Sequence, residues 1–147
     1  MAIKIVMGPA CAGKSHFIRE TFPNSTVIDL WDFQKEQKHV TYESVMQSYI
    51  DTQEALINAI KEKKDVVLEH TLLRAIRREV YIKAIREVTD EPINIYVLVP
   101  SAENFKKFNE LRNCPCDDQY IKAMFETLEI PTFEEGFDNI YIITPTI

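Results

Sequence analysis

Glycine is nearly absent from this chain: three residues in 147, which excludes a collagen-like or Gly/Ser-linker protein. Cysteine is as scarce. Cys11, Cys114 and Cys116 do not make a disulfide framework. Cys114-Pro115-Cys116 lacks a second Cys pair or a nearby His to complete four metal ligands, so a plain loop is expected there. No apolar run approaches the roughly 18 residues that cross a bilayer, and no membrane association is expected. Residue 3 already opens a strand, with no charged-then-apolar leader before it, so the cytoplasm is the expected compartment. Positive charge is in deficit, with 17 basic against 23 acidic residues and a net charge of −6. That argues against coating long nucleic acid through counterion release. A small substrate, or a polynucleotide end gripped by a local patch, stays compatible over a Debye length of about 8–10 Å. There are no repeats, no low-complexity stretch and no linker. The apolar fraction of 46% and charged fraction of 27% suit one globular domain over 1–147 with a sizeable core. No obligate protein partner is evident.

Two of the three glycines fall in Gly8-Pro9-Ala10-Cys11-Ala12-Gly13-Lys14-Ser15, a complete G-x-x-x-x-G-K-[ST] phosphate-binding loop. Ile3-Lys4-Ile5-Val6-Met7 before it reads as a buried strand, and Ser15-His16-Phe17-Ile18-Arg19-Glu20 after it as a helix start. Strand, glycine loop, helix is the context in which this motif works. Gly8 and Gly13 permit backbone conformations and close approaches that a side chain forbids. The backbone of Pro9, Ala10, Cys11 and Ala12, with His16 at the helix start, completes an anion cradle reinforced by the helix dipole. Lys14 brings a mobile charge to β- and γ-phosphates, and the Ser15 hydroxyl suits the oxygen shell of Mg²⁺. The implied ligands are a nucleoside triphosphate (ATP or another) and Mg²⁺. Cys11, inside a positive cradle, is a candidate for thiol modification that nucleotide would block.

Apolar runs then alternate with helical periodicity. A turn at Phe22-Pro23-Asn24-Ser25 leads to a strand at 26–30; a helix over 42–62 carries Val45, Tyr49, Leu56 and Ile60 on one face. A strand at 65–69 is apolar on both sides, as a central parallel strand is. The next helix, 75–88, is expected to bury Ile76, Val80, Ala84 and Val88. A strand at 94–99 stops at Pro100, Ser101 caps a helix over 102–111, a further helix runs 117–128, and a last strand spans 139–143. This alternation implies a parallel sheet with helices on both faces. Ligands of such sheets sit beyond the carboxyl ends of the strands, which directs attention to 8–15, 29–34, 69–78 and 100–112.

At those positions the chain resembles the small P-loop kinases and AAA-type ATPase domains of the polynucleotide-kinase-like group, with its 5′-hydroxyl kinases and zeta-toxin-like relatives. Val66-Val67-Leu68-Glu69-His70-Thr71-Leu72 is similar to the family's acid-ending third strand. Arg74 and Arg77-Arg78 resemble its basic helix start, and 100–112 its lid helix. Ile130-Pro131-Thr132-Phe133-Glu134-Glu135-Gly136-Phe137-Asp138 resembles the approach to its last strand. The resemblance implies a three-layer α/β/α P-loop NTPase fold with a mainly parallel five-stranded sheet. It implies transfer of the γ-phosphoryl group to a hydroxyl on a nucleic-acid end, a nucleotide or a small compound.

The departures lie on the acceptor side. The family places an Asp base and then an Arg after the second strand; here the stretch is Ile28-Asp29-Leu30-Trp31-Asp32-Phe33-Gln34. Trp31 stands at the base position, leaving Asp32, preferred, or Asp29, which also suits the Mg²⁺ shell. Phe108 stands where a lid arginine is expected, so Arg112, with Lys106 or Lys107, is left to stabilise the transferring group. Glu69, beside the loop, is expected to orient Mg²⁺, and Thr71, Arg74, Arg77 and Arg78 to touch the acceptor. Trp31 either stacks on an acceptor base or fills the core. His70 is expected to pack or face solvent. Arg86 reads as part of a solvated basic face, and Glu134, Glu135 and Asp138 as a solvated turn. Two alternatives stay open: a nucleotide-binding module without efficient catalysis, and, less well matched to so short a chain, a motor ATPase.

Overall fold

The computed structural model describes residues 1–35, 40–111 and 116–145. Strands and helices alternate as β1 (Ile3–Met7), α1 (Lys14–Thr21), β2 (Thr26–Asp29), α2 (Tyr42–Lys61), β3 (Val66–His70), α3 (Ala75–Arg86), β4 (Ile93–Leu98), α4 (Ala102–Glu110), α5 (Asp118–Thr127) and β5 (Asn139–Ile143). Short 3-10 turns, Leu30–Phe33 and Phe133–Glu135, follow β2 and precede β5. The sheet order is β2-β3-β1-β4-β5, and each neighbouring pair is parallel. The five-stranded sheet expected to be mainly parallel is therefore parallel throughout.

Side chains of a strand alternate between faces, and both faces here are apolar. Ile5, Met7, Leu68, Ile93 and Ile95 pack with Leu56 and Ile60 of α2 and Ile82 and Ile85 of α3. Val6, Val67 and Leu98 point the other way, onto Ile18 of α1. The result is three layers, helix on sheet on helix. A smaller cluster of Cys11, Phe105, Ile121 and Met124 fastens α4 and α5 to the loop after β1. No helix among the described residues is long and apolar enough to cross a membrane.

Two helix faces differ from the periodicity. In α3 the buried stripe is Arg78, Tyr81, Ile82 and Ile85, whereas Ile76 and Val80, expected inside, are 64% and 52% exposed. The stripe keeps helical spacing but is rotated, because a partner reaches it across the chain and allows an arginine to be buried. Arg78 donates from Nε and Nη2 to Glu135 at 2.7 and 3.1 Å, and from Nη1 to the Leu72 carbonyl at 2.8 Å. In α2 the buried side includes Ser48 and Thr52 with Leu56, Ala59 and Ile60. Their hydroxyls donate to the helix's own carbonyls, Ser48 to Val45 at 2.6 Å and Thr52 to Ser48 at 2.7 Å, so burial leaves neither unpaired.

Of the turn expected to be solvated, Glu134 and Asp138 are exposed and Glu135 alone is drawn in. Glu135 also accepts the Thr132 amide at 2.8 Å. Asp138 accepts the Ile93 amide and Arg86 Nη2 at 2.8 and 3.0 Å, which ties Arg86 down too. The topology brings the carboxyl ends of β1, β2, β3 and β4 to one edge, and the phosphate-binding loop leaves β1 there.

Candidate active site

Gly8 and Gly13 are required by packing. A Cβ on Gly8 would lie 2.6 Å from the Leu98 carbonyl oxygen. Gly13 caps α1 in the left-handed region (φ 83°), and a Cβ there would meet the Phe108 ring at 3.1 Å. Cys11 also adopts a positive φ of 68°, rare for a residue with a side chain. Its thiol donates to Asn109 Oδ1 at 3.0 Å. Asn109 donates to the Cys116 carbonyl and accepts the Cys116 amide, at 3.0 and 2.8 Å. One amide thus joins the loop, α4 and the segment before α5. Lys14 arches back over the loop, donating from Nζ to the carbonyls of Gly8 and Pro9 at 3.0 and 2.9 Å. His16 is exposed on the first turn of α1.

The Ser15 hydroxyl donates to Glu69 Oε1 at 2.7 Å. Glu69 is 5% exposed, on the strand next to β1, and the β2–β3 register sets Asp29 directly beside it. Burial pushes the Glu69 carboxyl up to about 8; the hydrogen bond that protonated Glu69 donates to Asp29, and the charge of Asp29, push the same way, against Ser15 and Lys14. Two carboxyl groups side by side in a poorly solvated site cannot both ionise readily. Asp29 also accepts the Trp31 amide at 3.0 Å, which starts the 3-10 turn.

These groups open onto one cleft of 1010 Å³, whose walls include Lys14, Ser15, Asp29, Glu69, Arg19 and Trp31. Trp31 is 61% exposed, so it belongs to the cleft and not to the core. Asp32, the preferred base from the sequence, does not line the cleft; it pairs with Lys35 at 3.1 Å in solvent. The 3-10 turn accounts for the difference, since its tight rotation sends adjacent side chains in different directions. Phe108 covers Gly13, in place of a charged lid side chain. Arg112 lies outside the described residues, as do Cys114 and Pro115.

Of the four candidate acceptor contacts, three share a surface. Thr71, Arg74 and Arg77 line a second cavity, between α2 and α3. Arg74 there pairs with Glu129 at 3.3 Å, and Arg77 lies over the Tyr49 ring at 5.9 Å. Arg78 is fully buried behind them, clamped by Glu135 and Leu72, and is withdrawn from any acceptor. His70 packs, as one expectation held, stacked on Tyr49 and edge-on to Tyr81. Burial, with the charges of Lys14 and Arg77, pushes its imidazole down to about 3, so it is neutral.

Sequence reasoning passed over Arg19 and Asn109. Arg19 stands four residues after Ser15 on the same helix, and that spacing puts both on one face, so the signal was present. Nothing local marks Asn109, whose partners lie 98 and 7 residues away.

Hard oxygen donors, one hydroxyl and one or two carboxylates at a phosphate-binding loop, fit Mg²⁺, which binds through few protein groups and keeps waters. Among the described residues no three His, Cys, Asp or Glu side chains gather as a metal cage. No protein-family model matches the chain, and no curated protein matches it in sequence. Solved structures do match in fold. A candidate kinase from Chloroflexus aurantiacus aligns with TM-score 0.73 at 12% identity, over 99% of this chain and 88% of that one. A gluconokinase from Sinorhizobium meliloti aligns at TM-score 0.66 and 15% identity, over 97% and 82%. A fungal RNA kinase gives TM-score 0.66 at 14% identity, over 99% and 77%. The chain has the fold of the P-loop kinases.

Proposed function

We propose that the chain is a Mg²⁺-dependent phosphotransferase that moves the γ-phosphoryl group of ATP, or of another nucleoside triphosphate, onto a hydroxyl. The observation that carries this reading is the convergence of Lys14, Ser15, Glu69 and Asp29 on one cleft beneath a glycine loop. Ser15 and Glu69 are the residues suited to hold Mg²⁺, which when bound supplies charge neutralisation at the phosphates. Lys14, now on the loop carbonyls, is the cation suited to the β- and γ-oxygens. Asp29, on the open cleft, takes the acceptor's proton; the acceptor oxygen bonds to the γ-phosphorus as the bridge to the β-phosphate breaks, and the diphosphate leaves. Catalysis of this kind rests on position and charge. Arg19 and Arg112 are the proposed arginine contributors to that charge, the second from the resemblance alone. Solved structures of this fold include both an RNA kinase and a gluconokinase, so an RNA end, a nucleotide and a small hydroxyl compound are all acceptors to try.

Incubation with γ-labelled ATP, Mg²⁺ and a panel of hydroxyl acceptors tests the reading. Lys14→Met is expected to lower nucleotide affinity at least tenfold. Asp29→Asn is expected to keep nucleotide binding and lose at least a hundredfold in turnover, within the range of general-base effects, while Asp32→Asn stays within about twofold. Nucleotide binding without transfer to any hydroxyl would refute it. The second reading, a nucleotide-binding module with little turnover, draws on Phe108 over Gly13 and on the solvent pairing of Asp32. It expects Asp29→Asn to change nothing measurable.

A further inference from the structure

The cavity between α2 and α3 has a volume of 310 Å³ and meets the phosphate cleft at Thr71, which lines both. Met46 and Ile50 on α2, with Leu73 and Val80 on the opposite side, give it apolar walls. Its charge is one-sided. Arg74 and Arg77 are the charged residues that line it, and no acidic side chain among the described residues does so. The chain as a whole carries 23 acids against 17 bases, so this is a local inversion of its charge. Both arginines are exposed, within reach of a ligand. Arg77 lies against the Tyr49 ring, 5.9 Å from the centroid, and pairs with no carboxylate of the described residues. Arg74 makes an exposed pair with Glu129 at 3.3 Å, and such a pair yields readily to a competing anion. The Thr71 hydroxyl and the Gln53 carboxamide add polar groups that hydrogen-bond no other described residue. Stability alone disfavours this placement. The two arginines stand at the N-cap and in the first turn of α3, with no acid in that turn, where the helix dipole repels cations.

We propose that this cavity seats the acceptor, and that the acceptor is a small anionic alcohol whose carboxylate or phosphate pairs with Arg77 and Arg74. The assignment rests on the phosphotransferase reading above, because Thr71 connects the anion's seat to the cleft where the hydroxyl would react. A guanidinium fork matches two oxygens of a carboxylate or phosphate, and its charge-assisted hydrogen bonds are stronger than those to a neutral hydroxyl. A neutral polyol would leave both positive charges unanswered. The apolar walls suit the carbon skeleton between the acid group and the hydroxyl. The volume lies at the lower end of small-molecule pockets, about 300–1,000 Å³, which suits a compact hydroxy acid and not a polynucleotide.

Calorimetry is run with Mg²⁺ and a non-hydrolysable ATP analogue filling the phosphate cleft, so that a free anion does not settle in the glycine loop. Glycerate, glycerol 3-phosphate, gluconate and pantothenate are compared with their neutral counterparts glycerol, glucitol and pantothenol. Transfer of γ-phosphoryl from ATP to each compound is measured separately. At least one acid is expected to bind about tenfold tighter or more than its neutral counterpart, as a charge-assisted hydrogen bond allows, and to be phosphorylated. The glycerate and glycerol 3-phosphate arms tell a carboxylate from a phosphate. Arg77→Gln is expected to remove the preference, weakening the acid about tenfold and leaving the neutral alcohol within about twofold. Arg77→Lys, which keeps the charge without the fork, is expected to recover part of it. Lys83→Gln, on the same helix but outside the cavity, is expected to leave the preference intact. Nucleotide affinity reads the other cleft and reports whether each variant is folded. No preference for any acid, or a preference that survives Arg77→Gln, overturns the proposal. So does phosphorylation of a 5′-hydroxyl oligonucleotide ahead of every small acid. Arg77-dependent binding of an acid, with no transfer to any hydroxyl, upholds the cavity as an anion site and overturns the phosphotransferase reading instead.

Discussion

Replacing Glu135 by glutamine changes no volume and removes one charge, from the partner of a guanidinium that has no solvent exposure at all. Glu135 meets Arg78 through both oxygens, at 2.7 and 3.1 Å, and its own side chain is only 15% exposed. Arg78 remains charged, since an arginine does not deprotonate in a protein. The loss is therefore that of a buried ion pair broken on one side, about 3–5 kcal/mol. Against a total stability of roughly 5–15 kcal/mol, this is severe, and at about 2–4 °C per kcal/mol it corresponds to a fall in Tm of roughly 10 °C. Arg78→Met should cost less, because Glu135 keeps some contact with water, although the Leu72 carbonyl loses its donor at about 1 kcal/mol. The double variant removes both charges and is expected to recover part of the Glu135→Gln loss. Urea denaturation of the four proteins gives the double-mutant cycle. Single losses under about 1 kcal/mol, or a coupling near zero, would refute the clamp. The clamp matters to the site because it holds the Leu72 carbonyl. Leu72 stands at φ 45° immediately after Thr71, whose carbonyl in turn accepts the Gly8 amide at 3.3 Å.

Two further outcomes follow from the geometry. Glu69 holds its proton to about pH 8 in the folded chain against an ordinary 4.5. Its contribution to stability is thus complete below about pH 4.5 and is lost as pH rises through about 8, with a limiting slope of about 1.4 kcal/mol per pH unit for one proton. Denaturant titrations from pH 5 to 8 should show this decline in the wild type relative to Glu69→Gln, and parallel curves would contradict it. Gly8→Ala forces a Cβ to 2.6 Å from a backbone oxygen of β4. A loss of about 1–3 kcal/mol is expected, seen as a lower Tm together with weaker nucleotide binding, whereas an unchanged protein would mean that the loop is not seated against Leu98.

The strands, the helices and the loop that joins the first of each were legible in the sequence because their signals are local. Ile3 to Met7 carries its own β-branched pattern, and glycine spacing marks 8–15 without reference to the rest of the chain. The rotated face of α3 was not legible: Ile76 and Val80 look like core by periodicity, and only Glu135, 57 residues beyond Arg78, makes an arginine the better occupant. The same holds for the two aspartates. Asp29 and Asp32 are near-equivalent as letters; strand pairing sets Asp29, at the end of β2, beside Glu69, while Asp32, in the 3-10 turn that follows, pairs with Lys35. Ser15 and Glu69, 54 residues apart, meet because β3 pairs with β1. The sequence by itself determined the phosphate cradle and the order of the elements, since hydrogen-bonding geometry and side-chain period act over a few residues. Only the tertiary structure decided which carboxylate faces the cradle, which arginine is withdrawn from the surface, and that a second cavity lies beside it, because charge pairing and burial depend on residues brought together across the whole chain.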